Sequence, residues 1–184
     1  MIKYDVNYYY NLLKIHTHTA KAICEIRWKF ISQLGFNNKW PVILDYGCGV
    51  GWFAAFKPAF IKDENMDTFD IMPVPQTGMR HTQYDVITLW DVLEHIPDFT
   101  DLEPLLKSTD YVAISLPIKP KDVAWKDYYH LKPGEHLHYY EEELLIELFR
   151  RYGFILLVSG QPECPPRKMI WNFIFQKKDE KITL

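Results

Sequence analysis

One stretch constrains this chain more than any other: Val42-Ile-Leu-Asp45-Tyr-Gly47-Cys-Gly49-Val-Gly51-Trp52. Its first half, residues 41–45, is a β-branched apolar run too short for a helix and suited to a strand buried on both faces. Its second half sets three glycines on alternate positions, although the whole 184-residue chain has only eight. Residues 52–57 then carry a brief helical pattern that Pro58 ends. A buried strand that breaks at glycines into a helix is the start of a βα unit. Glycine there lets the backbone approach a ligand closely, because no Cβ stands in the way. The following helix turns its free N–H groups toward the same spot. An unliganded tight turn is the alternative, and three alternating glycines behind an acid weigh against it.

The other periodicities fit the same architecture. Ala20, Ile23, Ile26, Phe30, Ile31 and Leu34 fall on one helical face that Gly35 is placed to end. Residues 66–70, 84–90, 111–116, 154–159 and 169–175 read as further strands. Residues 141–152 form the clearest helix, with three opening glutamates, Arg150 and Arg151 at its close, and Gly153 beyond. Strands alternating with helices give an α/β class with helices on both faces of the sheet. No linker divides the chain, so residues 1–184 are expected to form a single domain. It comprises an N-terminal helical segment (1–35), a core (40–176), and a long aperiodic connection (117–139). The last eight residues, from Lys177, read as a solvated tail.

Charge and cysteine usage remove several classes of partner. With 21 Lys+Arg against 24 Asp+Glu there is no broad basic face, and no nucleic-acid partner is expected. No apolar run approaches the ~18 residues of a membrane span. The N-terminus carries no apolar signal block. Cys24, Cys48 and Cys164 form no Cys-x-x-Cys and read as free thiols of a reducing, cytoplasmic compartment.

The glycine spacing narrows the ligand. A dinucleotide fingerprint wants its third glycine at position 52, which is Trp52. A P-loop needs Lys and Ser/Thr after its last glycine, and none follow Gly51. The pattern D-x-G-x-G-x-G instead resembles motif I of class I S-adenosylmethionine (SAM) dependent methyltransferases. That resemblance implies a Rossmann-like sandwich, mostly parallel with an antiparallel last strand. It also implies that Gly47, Cys48, Gly49 and Gly51 wrap the methionine part of SAM while Asp45 helps hold its ammonium group. Asp70, 25 residues after Asp45, stands where the family places its ribose acid. The segment Tyr84-Asp-Val-Ile-Thr-Leu-Trp-Asp-Val-Leu-Glu-His-Ile-Pro97 is similar to the fourth strand and turn of the small-molecule branch, the type 11 and type 23 domains. Quinone-precursor and sugar methyltransferases of that branch carry a like V-L-E-H segment. Ser115-Leu-Pro117, His138-Tyr-Tyr and Tyr152-Gly153-Phe154 match further landmarks, so the resemblance spans about residues 40 to 176. One departure is plain: only 14 residues (71–84) separate Asp70 from Asp85. A helix of ~11 residues and a strand of ~5 do not fit there. The third strand and its preceding helix are therefore expected to be reduced or absent, with adenine resting around residues 78–83.

Candidate chemistry gathers after the fourth strand. His95 and His136 are the candidate catalytic groups, since imidazole titrates near working pH and suits a base. Glu94 is ambiguous beside His95. Backbone bonding by His95 near Pro97 is the bland alternative to a base. Trp90 and Asp91 are expected to line the methionine end of the cofactor, the ring of Trp90 offering its face to a cation. Residues 117–139 are too long for an idle loop and rich in rings. Trp125, Tyr129, His130 and His138 are the expected acceptor contacts there. His136 and His138 would share a face if extended, but no cysteine or carboxylate completes a known spacing and Glu135 would point away, so no metal is expected. Tyr4, Tyr8, Tyr9 and Tyr10 suit a lid, ordinary packing, or a homodimer contact. The functional expectation is SAM-dependent methyl transfer to a small molecule such as a sugar or quinone precursor. The alternatives are a non-catalytic SAM-fold module that binds a ligand or partner, and a nicotinamide oxidoreductase that Trp52 disfavours. Asp91-Val-Leu-Glu replaces the Asn/Asp-Pro-Pro-aromatic motif of adenine methyltransferases, which argues against base methylation.

Overall fold

In a computed structural model that describes residues 17–36, 41–165 and 167–178, the apolar runs pair into a six-stranded sheet. Its strands are β1 (Ile43–Tyr46), β2 (Met66–Phe69), β3 (Tyr84–Trp90), β4 (Thr109–Pro117), β5 (Phe154–Gly160) and β6 (Ile170–Lys177). Their order is β2-β1-β3-β4-β6-β5. The first four run parallel, and β6 lies antiparallel to both β4 and β5. Every strand expected from the sequence forms, with ends shifted by a residue or two. Lys177 belongs to β6 rather than to a tail, and its ammonium donates to the carbonyls of Leu106 and Lys107.

Period-two alternation decides which side chains meet. Ile43, Val86, Ala113 and Ile174 point to one face, where Cys24, Trp28, Phe30 and Ile31 of α1 (Thr17–Ile31) cover them with Phe53 of α2 (Trp52–Ala55). Leu44, Ile87, Leu89, Val112, Ile114, Phe173 and Phe175 point to the other. There Leu106 of α3 (Glu103–Lys107) and Leu145 and Phe149 of α4 (Glu142–Arg151) pack on them. Phe149 stacks on Phe175 with ring centroids 4.1 Å apart. The result is an α/β/α sandwich. Gly35 ends the N-terminal helical segment in the left-handed conformation at φ 55°, which glycine adopts without a Cβ clash. Tyr4, Tyr8, Tyr9 and Tyr10 lie outside the described residues.

The short connection after β2 behaves as its length dictates. No helix forms between β2 and β3, and a single antiparallel bridge joins Gly78 to Thr68. Thr77 and Gln76 complete a strand stub by side chain: Thr68 N–H donates to Thr77 Oγ1 (2.9 Å) and Asp70 N–H to Gln76 Oε1 (2.8 Å). The free edge of β2 is thereby partly covered. Asp67, fully buried, anchors the return. It accepts from the Arg80 N–H and Nε (both 2.6 Å), the His81 N–H (3.1 Å) and the Tyr84 hydroxyl (3.0 Å).

Candidate active site

At the carboxyl end of β1 the chain reverses through the glycines. Gly47 and Cys48 both donate backbone N–H to the Phe69 carbonyl at the end of β2, at 2.7 and 3.1 Å. Gly47, Gly49 and Gly51 all have positive φ, at 74°, 53° and 77°. At Gly47 a Cβ would also collide with the side chain of Val92. The carboxylate of Asp70 closes the loop, Oδ2 accepting from Gly49 N–H and Oδ1 from Met72 N–H, each at 2.8 Å. Asp45 is buried beneath, with the Thr88 hydroxyl donating to Oδ1 at 2.9 Å. Burial pushes its carboxyl up to about 7, against the Thr88 hydrogen bond and the charge of Arg27. Burial also pushes the Cys48 thiol up to about 12, so it stays protonated.

These groups share one cavity of about 690 Å³ at the strand ends, as expected for an open α/β sheet. Asp45, Gly47, Cys48, Gly49 and Asp70 line one part of it; His95, His130 and His136 line another. Ile71 and Met72 also lie on its wall. Residues 78–83 do not, because the stub pairs with β2 instead. Gly51 opens α2 and borders a smaller cavity with Thr68, Gln76 and Thr77.

Trp90 and Asp91 line the main cavity, but protein groups already engage both. The guanidinium of Arg27 sits 5.1 Å from the Trp90 ring centroid. Asp91, at φ 59°, accepts from Arg27 Nη2 (2.6 Å) and from Arg167 Nη1 and Nη2 (3.0 and 2.7 Å). Glu163 pairs with the same two arginines, at 2.9 Å to Arg27 Nε and 2.6 Å to Arg167 Nη1. Burial alone would raise the carboxyl of Asp91, yet Arg167 and Arg27 hold it well below the usual range. Sequence reasoning missed Arg27, Arg167 and Glu163. The available signal was a charge on an apolar stripe: Ala20, Cys24, Arg27 and Ile31 are all buried along α1.

One part of the cavity wall is made by two segments stitched together. Leu137 and His138 N–H groups donate to the Glu94 carbonyl at 2.8 and 3.2 Å. The Nδ1–H of His95 donates to the Glu135 carbonyl at 2.9 Å, so His95 does bond backbone, but across the loop. A turn in which Glu135 and His136 N–H donate to the Lys132 carbonyl keeps residues 132–136 from being extended. It separates the two histidines expected on one face: His136 faces inward, its ring centroid 5.0 Å from that of His95, while His138 Nε2 meets the Pro97 carbonyl at 3.1 Å. Glu135 does not point away; it lines the cavity and pairs with Lys132 at 3.0 Å. Burial raises the Glu94 carboxyl to about 8, Asp91 adding to it, and lowers His136 to about 4. Of the four expected acceptor contacts, the fold brings His130 to the cavity wall. Trp125 and Tyr129, 52% and 72% exposed, are absent from it, as is His138.

Comparison with known proteins agrees with this geometry. Residues 16–158 match the family model described as a methyltransferase domain. No curated protein matches the chain. Among solved structures, magnesium protoporphyrin IX methyltransferase from Synechocystis PCC 6803, with bound S-adenosylhomocysteine (SAH), is similar at a TM-score of 0.59 and 17% identity. It covers 87% of this chain and 84% of that one. The 1,6-didemethyltoxoflavin-N1-methyltransferase of Burkholderia thailandensis, with its acceptor and SAH bound, is similar at 0.63 and 18% identity, over 95% and 85%. A SAM-dependent methyltransferase from Clostridium acetobutylicum is similar at 0.58 and 9% identity, over 91% and 94%. The D-x-G-x-G-x-G turn, the sheet order and the match over most of its length therefore agree, and the chain belongs to the methyltransferase domain family of class I, SAM-dependent enzymes.

Proposed function

We propose that this enzyme transfers the methyl group of SAM to a small-molecule acceptor within a single domain spanning residues 1–184. One observation carries it: a single cavity borders both the glycine loop with Asp70 and the imidazoles of His95, His130 and His136. The donor lies along the first part, with Asp70 toward the ribose hydroxyls and Asp45 toward the ammonium group. Gly47, Cys48, Gly49 and Gly51 supply the loop around it. Asp91 acts by holding Arg27 and Arg167 at the methionine end, beside Trp90. The acceptor enters against the second part. Its nucleophile attacks the methyl carbon in line, the S–CH₃ bond breaks, and SAH leaves as the acceptor–CH₃ bond forms. An acceptor hydroxyl gives its proton to the imidazole pair. In support, two of the structural neighbours are named for small-molecule acceptors, magnesium protoporphyrin IX and 1,6-didemethyltoxoflavin.

Incubation of the full chain with methyl-labelled SAM and fractionated metabolite extracts tests this. Label should appear in a low-molecular-weight product with one SAH per methyl, and His136→Ala should slow it by at least about tenfold. SAH binding without any labelled product would favour the non-catalytic module instead.

A further inference from the structure

We propose that Glu94, His95 and His136 form a divalent-metal site opening into the acceptor end of the cavity. One ligand atom from each of the three lies within 4.8 Å of the others. The carboxylate was invisible as a ligand in the sequence because it stands 42 residues before His136. The fold closes that gap by bonding the Glu94 carbonyl to the Leu137 and His138 N–H groups.

The donor atoms are prepared for a cation. His95 Nδ1 faces a carbonyl and must carry the proton, which leaves the lone pair on Nε2, 4.0 Å from Glu94 Oε1. An outer N–H held by a backbone carbonyl is how ligating histidines are oriented. Glu94 is 2% exposed and His136 6%. Glu94 Oε2 and His136 Nδ1 are buried without a hydrogen-bond partner among the described residues. Buried polar atoms are costly to leave unsatisfied, and a cation bound between the two side chains would supply the missing partner. The two rings meet edge-on, at 80°, with centroids 5.0 Å apart. Tetrahedral ligands about 2.0–2.1 Å from zinc stand roughly 3.4 Å apart, a contraction that side-chain rotation supplies.

Two imidazoles and one carboxylate suit zinc or a neighbouring transition ion better than magnesium or calcium, which want mostly oxygen. Three protein ligands leave at least one coordination position open to the cavity, the pattern of a catalytic rather than a structural site. An acceptor with a hydroxyl, phenol or carboxylate oxygen is the class that would fill it. The metal would then acidify that oxygen in place of the imidazole pair. This last use rests on the methyl-transfer proposal; the site itself does not.

Chelator-treated full-length protein, dialysed against Zn²⁺ and analysed for metal, tests the site. One zinc per chain is expected, with Co²⁺ replacing it and giving visible bands but no thiolate charge-transfer band. Glu94→Gln and His136→Ala should each weaken zinc at least tenfold while circular dichroism stays unchanged. Glu94→Gln is nearly isosteric and serves if His136→Ala does not fold. No zinc on the wild type, or zinc held equally by both variants, overturns the proposal. SAH calorimetry on the same samples reads the donor end separately, so failure of metal binding and failure of the methyl-transfer proposal are distinguishable.

Discussion

Two residues of the glycine turn carry separable physical demands. Gly47 combines a φ of 74° with a side-chain neighbour, Val92, that leaves no room for a Cβ. Gly47→Ala should therefore destabilise the fold by about 2 kcal/mol, from left-handed strain and overpacking together, and thermal melts would register it. Gly51→Ala meets strain but open space, and should cost less. Asp45 makes a pH prediction. Its carboxyl titrates at about 7, and a cationic ammonium binds only the ionised form. SAM affinity should then fall by about tenfold per pH unit below that value. It should fall again above about 8, where a free α-amino group loses its own proton. Calorimetry from pH 5.5 to 9 would show the bell, and Asp45→Asn should abolish its acid limb. These positions were legible in the sequence because the motif is local. Arg27 and Glu163 were not: their contacts span 64 and 136 positions, and no local spacing encodes such a pair.

Among the elements, the connection from β2 to β3 shows what chain length can and cannot say. Fourteen residues excluded a helix, and none forms. Length alone did not reveal that Gln76 and Thr77 would imitate a strand, or that Asp67 would hold the return. Burial would raise the carboxyl of Asp67, but the hydrogen bonds from Arg80, His81 and Tyr84 outweigh it and hold the group at about 2. A folded value below the ordinary one stabilises fully above about pH 4, and that contribution is lost as pH falls toward 2. Asp67→Asn should lower stability at pH 7 by about 2 kcal/mol and make the remaining stability less sensitive to acid, measurable by urea unfolding at pH 7 and pH 3. Residues 117–139 taught the opposite lesson. Alternation assumed an extended strand, whereas the turn at Lys132 sends His136 inward and His138 to the Pro97 carbonyl.

On the scale of the molecule, four charges, Arg27 and Glu163 buried and Asp91 and Arg167 half-buried, join parts distant in sequence. Arg27 of α1, Asp91 after β3, and Glu163 and Arg167 before β6 sum to zero charge. Ser115 of β4 accepts from Arg27 at 3.0 Å. Such a set fixes the N-terminal helix over the strand ends where the cavity lies. Arg27→Met leaves the buried Glu163 and the half-buried Asp91 leaning on Arg167 alone; a loss of about 3 kcal/mol in chemical denaturation is expected, with weaker SAH binding. The central claim is that the glycine loop and Asp70 form the donor half of one methyl-transfer cavity. Titration of SAH into the full chain and into Asp70→Ala by calorimetry tests it most directly. The account predicts one site per chain, weakened at least tenfold by the substitution; no heat at millimolar SAH, or equal binding by both proteins, would contradict it.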